Sequence, residues 1–273
     1  MHAGVWRIIG LSTAALLTIG AAPRPEPVHM RTAGSGKNCW VLVHAFGASG
    51  EFWQKRAPEL AERHHVRVYF PDLPSHGLSA LTPTFNYTMA TNAMQAALKP
   101  LCPKPELVVG GSSGGIIAMR LGARMHARRV VAISVGWAFN DADIKDLVES
   151  GEHPTAEFLE YLKHFAAQGE PQVTVLLKHA GGLADMGTGP LLTKSEARAL
   201  RRRLLVIHGD KDDFFFPPSM AELVRAIPGT QLYLFRGAGH LDPLRRPFAD
   251  VTWQLIDRFD DTGTVGGSSP LPG

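Results

Sequence analysis

From about residue 40 onwards, short apolar runs alternate with longer segments whose apolar residues recur at helical spacing. Trp40 to Val43 is a continuous apolar run that ends at His44, and Leu107 to Val109 is another that ends at a pair of glycines. Short runs without polar alternation are typical of parallel strands that are buried on both faces. The other predicted strands are 66–70, 130–133, 204–207 and 231–235.

The segments between these strands predict helices. They cover residues 52–63, 88–99, 116–125 and 248–259. Alternation of strand and helix predicts an α/β fold with an open, mostly parallel central sheet that helices cover on both faces. In such sheets the ligand binds beyond the carboxyl ends of the strands, so chemistry is expected there.

One long stretch interrupts the alternation. Between about residues 137 and 199 there is no strand–helix repeat; residues 157–167 have helical spacing and residues 181–190 indicate a loop. We interpret the stretch as a helical cap inserted over the sheet. It lies within a single domain predicted at residues 37–261.

The two ends of the chain differ from this domain. A basic start, an uncharged apolar run over residues 8–22 and small residues at its end are typical of a secretory signal at residues 1–22. Residues 23–36 are rich in Pro and Gly and predict a linker, and residues 262–273 predict a disordered tail. We therefore expect a secreted or periplasmic protein; an uncleaved N-terminal membrane anchor is the alternative.

Composition removes several other classes. The 273 residues include 28 Lys and Arg against 25 Asp and Glu, and this formal net charge of +3 is too weak to indicate a nucleic-acid partner. Two cysteines exclude a disulfide-dense scaffold and a four-cysteine zinc site. Twelve histidines occur without an H-E-x-x-H or Cys/His motif, so no metal site is predicted.

A glycine-rich turn carries the strongest chemical signal. Gly111-Ser112-Ser113-Gly114-Gly115 reads G-x-S-x-G, directly after a predicted strand and directly before a predicted helix. A nucleophilic serine must project from such a tight turn, and glycines two positions before and after it relieve the crowding. Ser112 is the other hydroxyl here, but Ser113 lies centrally between the glycines and is the predicted nucleophile.

A serine hydroxyl needs a base that is oriented by an acid. His240 follows the strand at 231–235 and is the predicted base. Asp212 follows the strand at 204–207 and is the preferred acid; Asp213 is next, and Asp210 lies in the same loop. Backbone N–H groups of Phe46 and Gly114 are the predicted oxyanion hole.

These motifs together resemble the α/β-hydrolase fold superfamily. His44-Ala45-Phe46-Gly47 resembles its HGxG loop, and residues 72–79 resemble its D-x-x-G-H-G-x-S turn. Residues 111–115, Asp212 and His240 match its nucleophile turn, acid and base, and the resemblance spans about residues 37–260. Three departures stand out: Ala45 and Ser75 replace glycines, and one extra phenylalanine in the run 214–216 blurs the assignment of the acid.

The resemblance implies a cofactor-free serine hydrolase with a small-molecule substrate. We expect hydrolysis of an ester that is small or medium in size and largely apolar, with Trp137, Phe139 and Phe214 as candidate substrate contacts. Lactonase, thioesterase, C–C hydrolase and cofactor-free haloperoxidase chemistry use the same triad and stay open, as does a non-catalytic ligand-binding role. Neither nucleic acid nor a membrane beyond the N-terminal segment is expected as a partner, and the sequence does not give the oligomeric state.

The resemblance also bears on the two cysteines. In this fold the strands that follow Cys39 and Cys102 are parallel neighbours, which places both cysteines at the sheet edge opposite the active site. An oxidising compartment would then favour a disulfide. Two separate buried thiols are the alternative.

Overall fold

The computed structural model of the protein describes residues 28–215 and 217–266, and its centre is a seven-stranded sheet. The strands are β1 (Thr32–Ala33), β2 (Cys39–Val43), β3 (Arg67–Tyr69), β4 (Leu107–Gly111), β5 (Arg129–Ile133), β6 (Leu204–Gly209) and β7 (Gln231–Phe235). Their spatial order is β1-β3-β2-β4-β5-β6-β7. All neighbouring pairs are parallel except β1 with β3. The predicted open, mostly parallel sheet is therefore confirmed.

Helices connect and cover the strands. They are α1 (Arg56–His64), α2 (Tyr87–Leu98), α3 (Ser113–Arg124), α4 (Asp141–Glu152), α5 (Ala156–Phe165), α6 (Glu170–Gly182), α7 (Lys194–Leu200), α8 (Pro217–Ala226) and α9 (Ala249–Thr262). Short 3₁₀ turns lie at residues 50–53, 183–186 and 242–244. Helix α8 is absent from the sequence prediction. Among the described helices none is long and apolar enough to cross a membrane.

The core lies on both faces of the sheet, because successive side chains of a strand point to opposite faces. On β2, Val41 packs in the cluster that contains Met94 of α2 and Ile117 of α3. Leu42, the next residue, packs in the cluster that contains Leu60 of α1 and Ile256 of α9. The strand is buried throughout, which explains its continuous apolar run.

Parts of the predicted linker and of the predicted tail are ordered in the structure. Residues 1–27, including the predicted signal at 1–22, lie outside the described residues, as do residues 267–273. Within the predicted linker, Val28 is buried and β1 pairs with β3. At the other end, α9 continues to Thr262, and Val265 is buried with its N–H donated to Gln231. Paired backbone and apolar burial order these segments despite their Gly- and Pro-rich composition.

The stretch predicted as a cap, at about 137–199, contains α4 to α7. Helix α7 packs on α3, because Arg120 and Arg124 of α3 both donate to the Glu196 carboxylate, at 3.3 and 2.7 Å. Helices α4, α5 and α6 precede it and include the residues that contact the loops at the carboxyl end of the sheet.

A disulfide joins Cys39 to Cys102, with the two Cα atoms 6.0 Å apart. Cys39 begins β2 and Cys102 lies in the loop before β4, and these strands are parallel neighbours. The hypothesis of a disulfide at the amino edge of the sheet is therefore confirmed in the structure, and the alternative of two separate thiols is not.

Candidate active site

The turn between β4 and α3 has the geometry of a strained nucleophile position, and Ser112 occupies it. Its φ of 52° and ψ of −127° are unusual for a residue with a side chain. A Cβ on Gly110 would lie 2.2 Å from the carbonyl oxygen of Gly114, and one on Gly114 would lie 2.3 Å from that of His44. The glycines that the turn requires are thus two positions before and two positions after Ser112.

The hydrogen bonds agree with the backbone. His240 Nε2 lies 3.0 Å from Ser112 Oγ. Ser113 Oγ instead lies 3.1 Å from the hydroxyl of Tyr87, and Ser113 is buried whereas Ser112 is partly exposed. The predicted pairing of Ser113 with His240 is therefore corrected: the structure brings Ser112 to the imidazole, because Ser113 is already the first residue of helix α3 and its side chain points into the core.

The sequence contains the reason for this shift by one residue. Gly110-Gly111-Ser112-Ser113-Gly114 also reads G-x-S-x-G and overlaps the pattern centred on Ser113. The two readings differ in where the strand ends. β4 continues to Gly111 rather than Val109, and its last two residues pair with Ala132 and Ile133 of β5. Because the last two residues of β4 are glycines, the apolar pattern that predicts a strand ends at Val109.

A short loop after β7 holds His240. The N–H of Leu241 donates to Ser134 Oγ at 3.1 Å, and the N–H of Gly239 donates to Asp242 Oδ2 at 2.7 Å. Both contacts flank the histidine and fix its backbone. The imidazole side chain keeps 24% of its surface exposed, so it can reach a substrate.

Asp212 orients the imidazole. Both of its carboxylate oxygens lie 3.0 Å from His240 Nδ1, and the carboxylate is fully buried. Oδ1 also accepts the N–H groups of Phe214 and Phe215, at 3.1 and 2.9 Å. Burial raises the pKa of this carboxyl, but the hydrogen bond and charge of His240, with His208, outweigh it and the net pKa is lowered.

The structure separates Asp212 from the two alternative acids. Asp213 is exposed, and Asp210 accepts the N–H of Gly237 at 2.6 Å in a turn. The extra phenylalanine of this loop is accommodated because the chain folds back over Asp212, with both phenylalanine N–H groups donated to one oxygen. Because the Asp212 carboxylate accepts a hydrogen bond from the Nδ1–H group, the neutral imidazole presents an unprotonated Nε2 to Ser112 Oγ.

Two backbone N–H groups, one in the loop after β2 and one at the start of α3, lack acceptors in the described part of the chain. They belong to Phe46, in the loop after β2, and to Ser113. As the residue after the one at the turn, Ser113 takes the position predicted for Gly114. Helix α3 also starts here, so its N-terminal dipole favours negative charge at this point.

A network of neutral side chains supports the Phe46 loop. His44 Nδ1 donates to the carbonyl of Ala45 at 2.8 Å, and its Nε2 accepts the N–H of Leu73 at 2.9 Å. Burial lowers the pKa of His44 to about 4, so it stays neutral and acts as a structural residue. Burial also holds the pKa of His76 well below its ordinary value, and its ring packs edge-on against Phe46 at 5.0 Å.

Ser75, which replaces a glycine of the family turn, has a φ of 67°. Its hydroxyl accepts the N–H of Thr82 at 2.9 Å and lies 3.2 Å from Nε2 of His179, on helix α6. The serine therefore joins the turn to the cap. Ala45, the other replaced glycine, lies outside the left-handed region and needs no such compensation.

Two of the three predicted substrate contacts lie beside the site. Phe214 has its ring centre 5.4 Å from that of His240, and Phe139 packs against both Phe214 and Tyr87. Trp137 is half-buried against the core, and its backbone N–H donates to Ser219 Oγ at 3.0 Å. In the described residues it has no aromatic or hydrogen-bond contact with Ser112, His240 or Asp212. Phe139 is almost completely buried, so it supports the position of Phe214 and is not itself exposed to a substrate.

The cap closes over this region. A Cβ on Gly47, next to Phe46, would lie 2.7 Å from Leu162 of α5. A cavity of about 360 Å³ lies between the cap and the loop of Asp212, and Phe214 is part of its lining. Three acidic side chains line the same cavity: Asp146, Glu149 and Asp213.

Comparison with known proteins agrees with this fold. The model of a family described as the alpha/beta hydrolase family matches residues 40–252. The pimeloyl-acyl-carrier-protein methyl ester esterase of Nitrosomonas europaea is 24% identical over 264 residues, which cover 85% of this chain and 98% of that enzyme. The enzyme with the same name from Chromobacterium violaceum is 27% identical over 77% of this chain and 90% of its own length.

Solved structures share the fold at lower identity. A carboxylesterase of Nitrososphaera gargenis superposes with a TM-score of 0.68 at 16% identity, over 86% of this chain and 94% of that one. The enol-lactonase of Burkholderia xenovorans does so with 0.64 at 20% identity, over 84% and 95%. The class predicted from the motifs, hydrolases that act on ester bonds, is the class of these relatives.

Proposed function

The chain belongs to the alpha/beta hydrolase family, and on that premise we propose that it is a serine esterase in which Ser112, His240 and Asp212 form the triad. The observation that carries the proposal is the continuous chain of contacts at 3.0 Å from Asp212 through His240 to Ser112 Oγ, at a strained turn. This arrangement matches the roles of nucleophile, base and orienting acid.

The proposed cycle is acyl transfer. His240 Nε2 takes the proton of the Ser112 hydroxyl while its oxygen attacks the ester carbonyl. The N–H groups of Phe46 and Ser113 stabilise the resulting oxyanion. His240 then donates the proton to the leaving alcohol, and water activated by the same imidazole releases the acid. Asp212 stabilises the imidazolium in both halves of the cycle.

The proposed substrate is a small or medium ester that is largely apolar and carries no negative charge near the cap. The ring of Phe214 lies beside His240, Phe139 packs behind Phe214, and Phe46 lies in the loop after β2; these aromatic side chains favour an apolar group. The acidic side chains in the neighbouring cavity disfavour an anionic one. The relatives are named as esterases and an enol-lactonase, so esters and lactones are the first substrates to test.

We also propose that the protein is exported. The apolar segment at residues 8–22 and the disulfide between Cys39 and Cys102 support this, because disulfides persist in oxidising compartments. Cell fractionation tests it: recovery of the mature protein only in the reduced cytosolic fraction would refute export.

The decisive experiment compares two adjacent serines. Purified wild type, Ser112→Ala and Ser113→Ala are treated with a fluorophosphonate probe and assayed on p-nitrophenyl esters of rising chain length. We expect Ser112→Ala to lose labelling and turnover, by about 10⁶-fold in kcat, and Ser113→Ala to keep labelling. The reverse pattern would restore Ser113 as nucleophile, and loss in neither variant would refute the triad.

The chain-length series also measures the acyl pocket. A parallel assay with γ-lactones, thioesters and vinylogous diketones separates ester hydrolysis from the alternative reactions of this triad. A kcat/KM for a lactone or thioester that exceeds every ester tested would replace the proposed substrate class while retaining the triad.

A further inference from the structure

The end of the sheet opposite the triad carries a second concave feature, a basic groove of about 710 Å³. Residues shortly before four neighbouring strands line it: Lys37 two positions before β2, Lys104 three positions before β4, and Arg128 and Arg203 directly before β5 and β6. Because β2, β4, β5 and β6 are parallel neighbours, their amino ends meet at one edge. Cations that are far apart in sequence therefore converge.

The charge of this basic groove is concentrated. Five cationic side chains line it, the four above and Arg129, against one acid, Glu106. This excess of four exceeds the formal net charge of +3 of the whole chain. Concave walls of low dielectric focus such a field and attract anions.

Few of these cations are neutralised. Arg128 donates to the Asp260 carboxylate at 2.6 Å. Lys37, Lys104, Arg129 and Arg203 have no carboxylate within ion-pair distance in the described residues. Arg129 and Arg203 bind backbone carbonyls, of Phe259 and Ala127, which fixes their positions without cancelling their charge.

The disulfide also contributes to the groove. Lys37 lies two residues before Cys39, and Lys104 lies two residues after Cys102. The bond between these cysteines fixes the two lysine-bearing segments beside each other although they are 67 positions apart in sequence. The disulfide thus keeps two positively charged side chains near each other. An anion bound between them would reduce their repulsion.

We propose that the basic groove binds phosphate groups, with Lys37, Lys104, Arg129 and Arg203 as the contacts. Guanidinium groups match the geometry of phosphate oxygens, and ammonium groups supply point charge. The groove is far larger than a single phosphate, so it admits a diphosphate or an organic phosphate. The binding is independent of the proposed esterase activity, which lies at the other end of the strands.

The test is titration calorimetry of the full chain with inorganic pyrophosphate at a constant ionic strength of about 0.15 M, where weak surface attraction is largely screened. The variant Lys37→Glu with Lys104→Glu places two negative charges in the groove. The matched control, Lys145→Glu with Lys194→Glu, changes the net charge equally at exposed lysines elsewhere. Turnover of a p-nitrophenyl ester shows that each variant is folded.

We expect saturable binding by the wild type, weakened at least about tenfold in the groove variant and less than about twofold in the control. Absence of saturable binding by the wild type, or equal weakening in both variants, would overturn the proposal. Co-sedimentation with phosphatidylglycerol vesicles distinguishes a lipid phosphate from a soluble one. Phosphatidylcholine vesicles are the control, because they report any binding through residues 1–27. Loss of phosphatidylglycerol binding in the groove variant indicates a lipid headgroup, and binding of pyrophosphate alone indicates a soluble phosphate.

Discussion

The two ends of the central sheet are built from the same strands but have opposite electrostatics. At the carboxyl end, three titratable groups are buried and held in defined protonation states: Asp212 is ionised, and His44 and His76 are neutral. At the amino end, the cations Lys37, Lys104 and Arg203 are at the surface and lack carboxylate partners in the described part of the chain.

This difference follows from what each end must do. A triad needs a fixed tautomer and a fixed distance, so its groups are desolvated and hydrogen-bonded. A site that attracts anions needs accessible charge and tolerates mobile side chains. The four predictions that follow test the contrast, beginning with the largest effect.

Replacement of Asp212 by Asn should have the largest effect on activity. The amide can donate to Nδ1, which favours the wrong tautomer of His240, and kcat is expected to fall by about 10⁴-fold. Asp213→Asn, one residue away and exposed, is the matched control and should change kcat by less than about twofold. Steady-state kinetics on a p-nitrophenyl ester checks both; equal losses would mean that the loop, and not the carboxylate, matters.

Removal of the disulfide should destabilise the fold without touching the chemistry. The cysteines are 63 residues apart in sequence, and the chain-entropy model gives about 4 kcal/mol for a loop of this size. Urea unfolding of the Cys39→Ala, Cys102→Ala double variant measures the loss, and kcat below the transition should match the wild type. A decrease of kcat in the folded protein would show that the two ends of the sheet are coupled.

Acid should destabilise the carboxyl end through its buried histidines. His44 titrates near 6.5 in the unfolded chain and at about 4 in the fold, so between these values the unfolded state binds one more proton. The contribution of the neutral histidine to the free energy of unfolding is fully present above pH 6.5. It decreases as the pH falls towards 4, by about 1.4 kcal/mol per pH unit for each such histidine. The lowered pKa of Asp212 acts only at still lower pH, below the ordinary range of a carboxyl.

Urea unfolding at pH 7.5, 6 and 5 measures this slope. His76→Asn is the informative variant, because an amide can still donate to the carbonyl of Pro74, whereas Nε2 of His76 has no partner in the described residues. In the variant, the slope of the unfolding free energy against pH below about 6.5 should be smaller by about 1.4 kcal/mol per pH unit, which corresponds to one proton. An unchanged slope would remove His76 from the groups that set acid stability.

The smallest expected effect concerns Tyr87. Its buried hydroxyl pairs with Ser113, and burial raises its pKa, so it stays neutral. Tyr87→Phe should cost about 1 kcal/mol of unfolding free energy and leave probe labelling intact. Tyr233→Phe, whose hydroxyl has no hydrogen bond in the described residues, is the control. Loss of labelling in Tyr87→Phe would place Ser113 in the chemistry after all.

The sequence by itself determined much of this protein. Continuous apolar runs marked β2, β4, β5 and β6, because a strand buried on both faces has few polar positions. The positions of Asp212 and His240 after strands made them the preferred candidates for acid and base, because parallel strands bring their carboxyl ends to one edge. The resemblance to the α/β-hydrolase fold, in which the strands after Cys39 and Cys102 are parallel neighbours, implied that these cysteines pair, and the structure contains that disulfide.

The tertiary structure alone decided which serine faces His240. Two overlapping glycine patterns fit the local rule equally well, and the choice depends on how far β4 pairs with β5, a contact between residues 20 or more positions apart. The structure alone also decided that Thr32 and Ala33 pair with β3, and that five dispersed cations share one groove. Periodicity records which face of an element is buried, whereas pairing register and convergence of distant loops are set by contacts between elements.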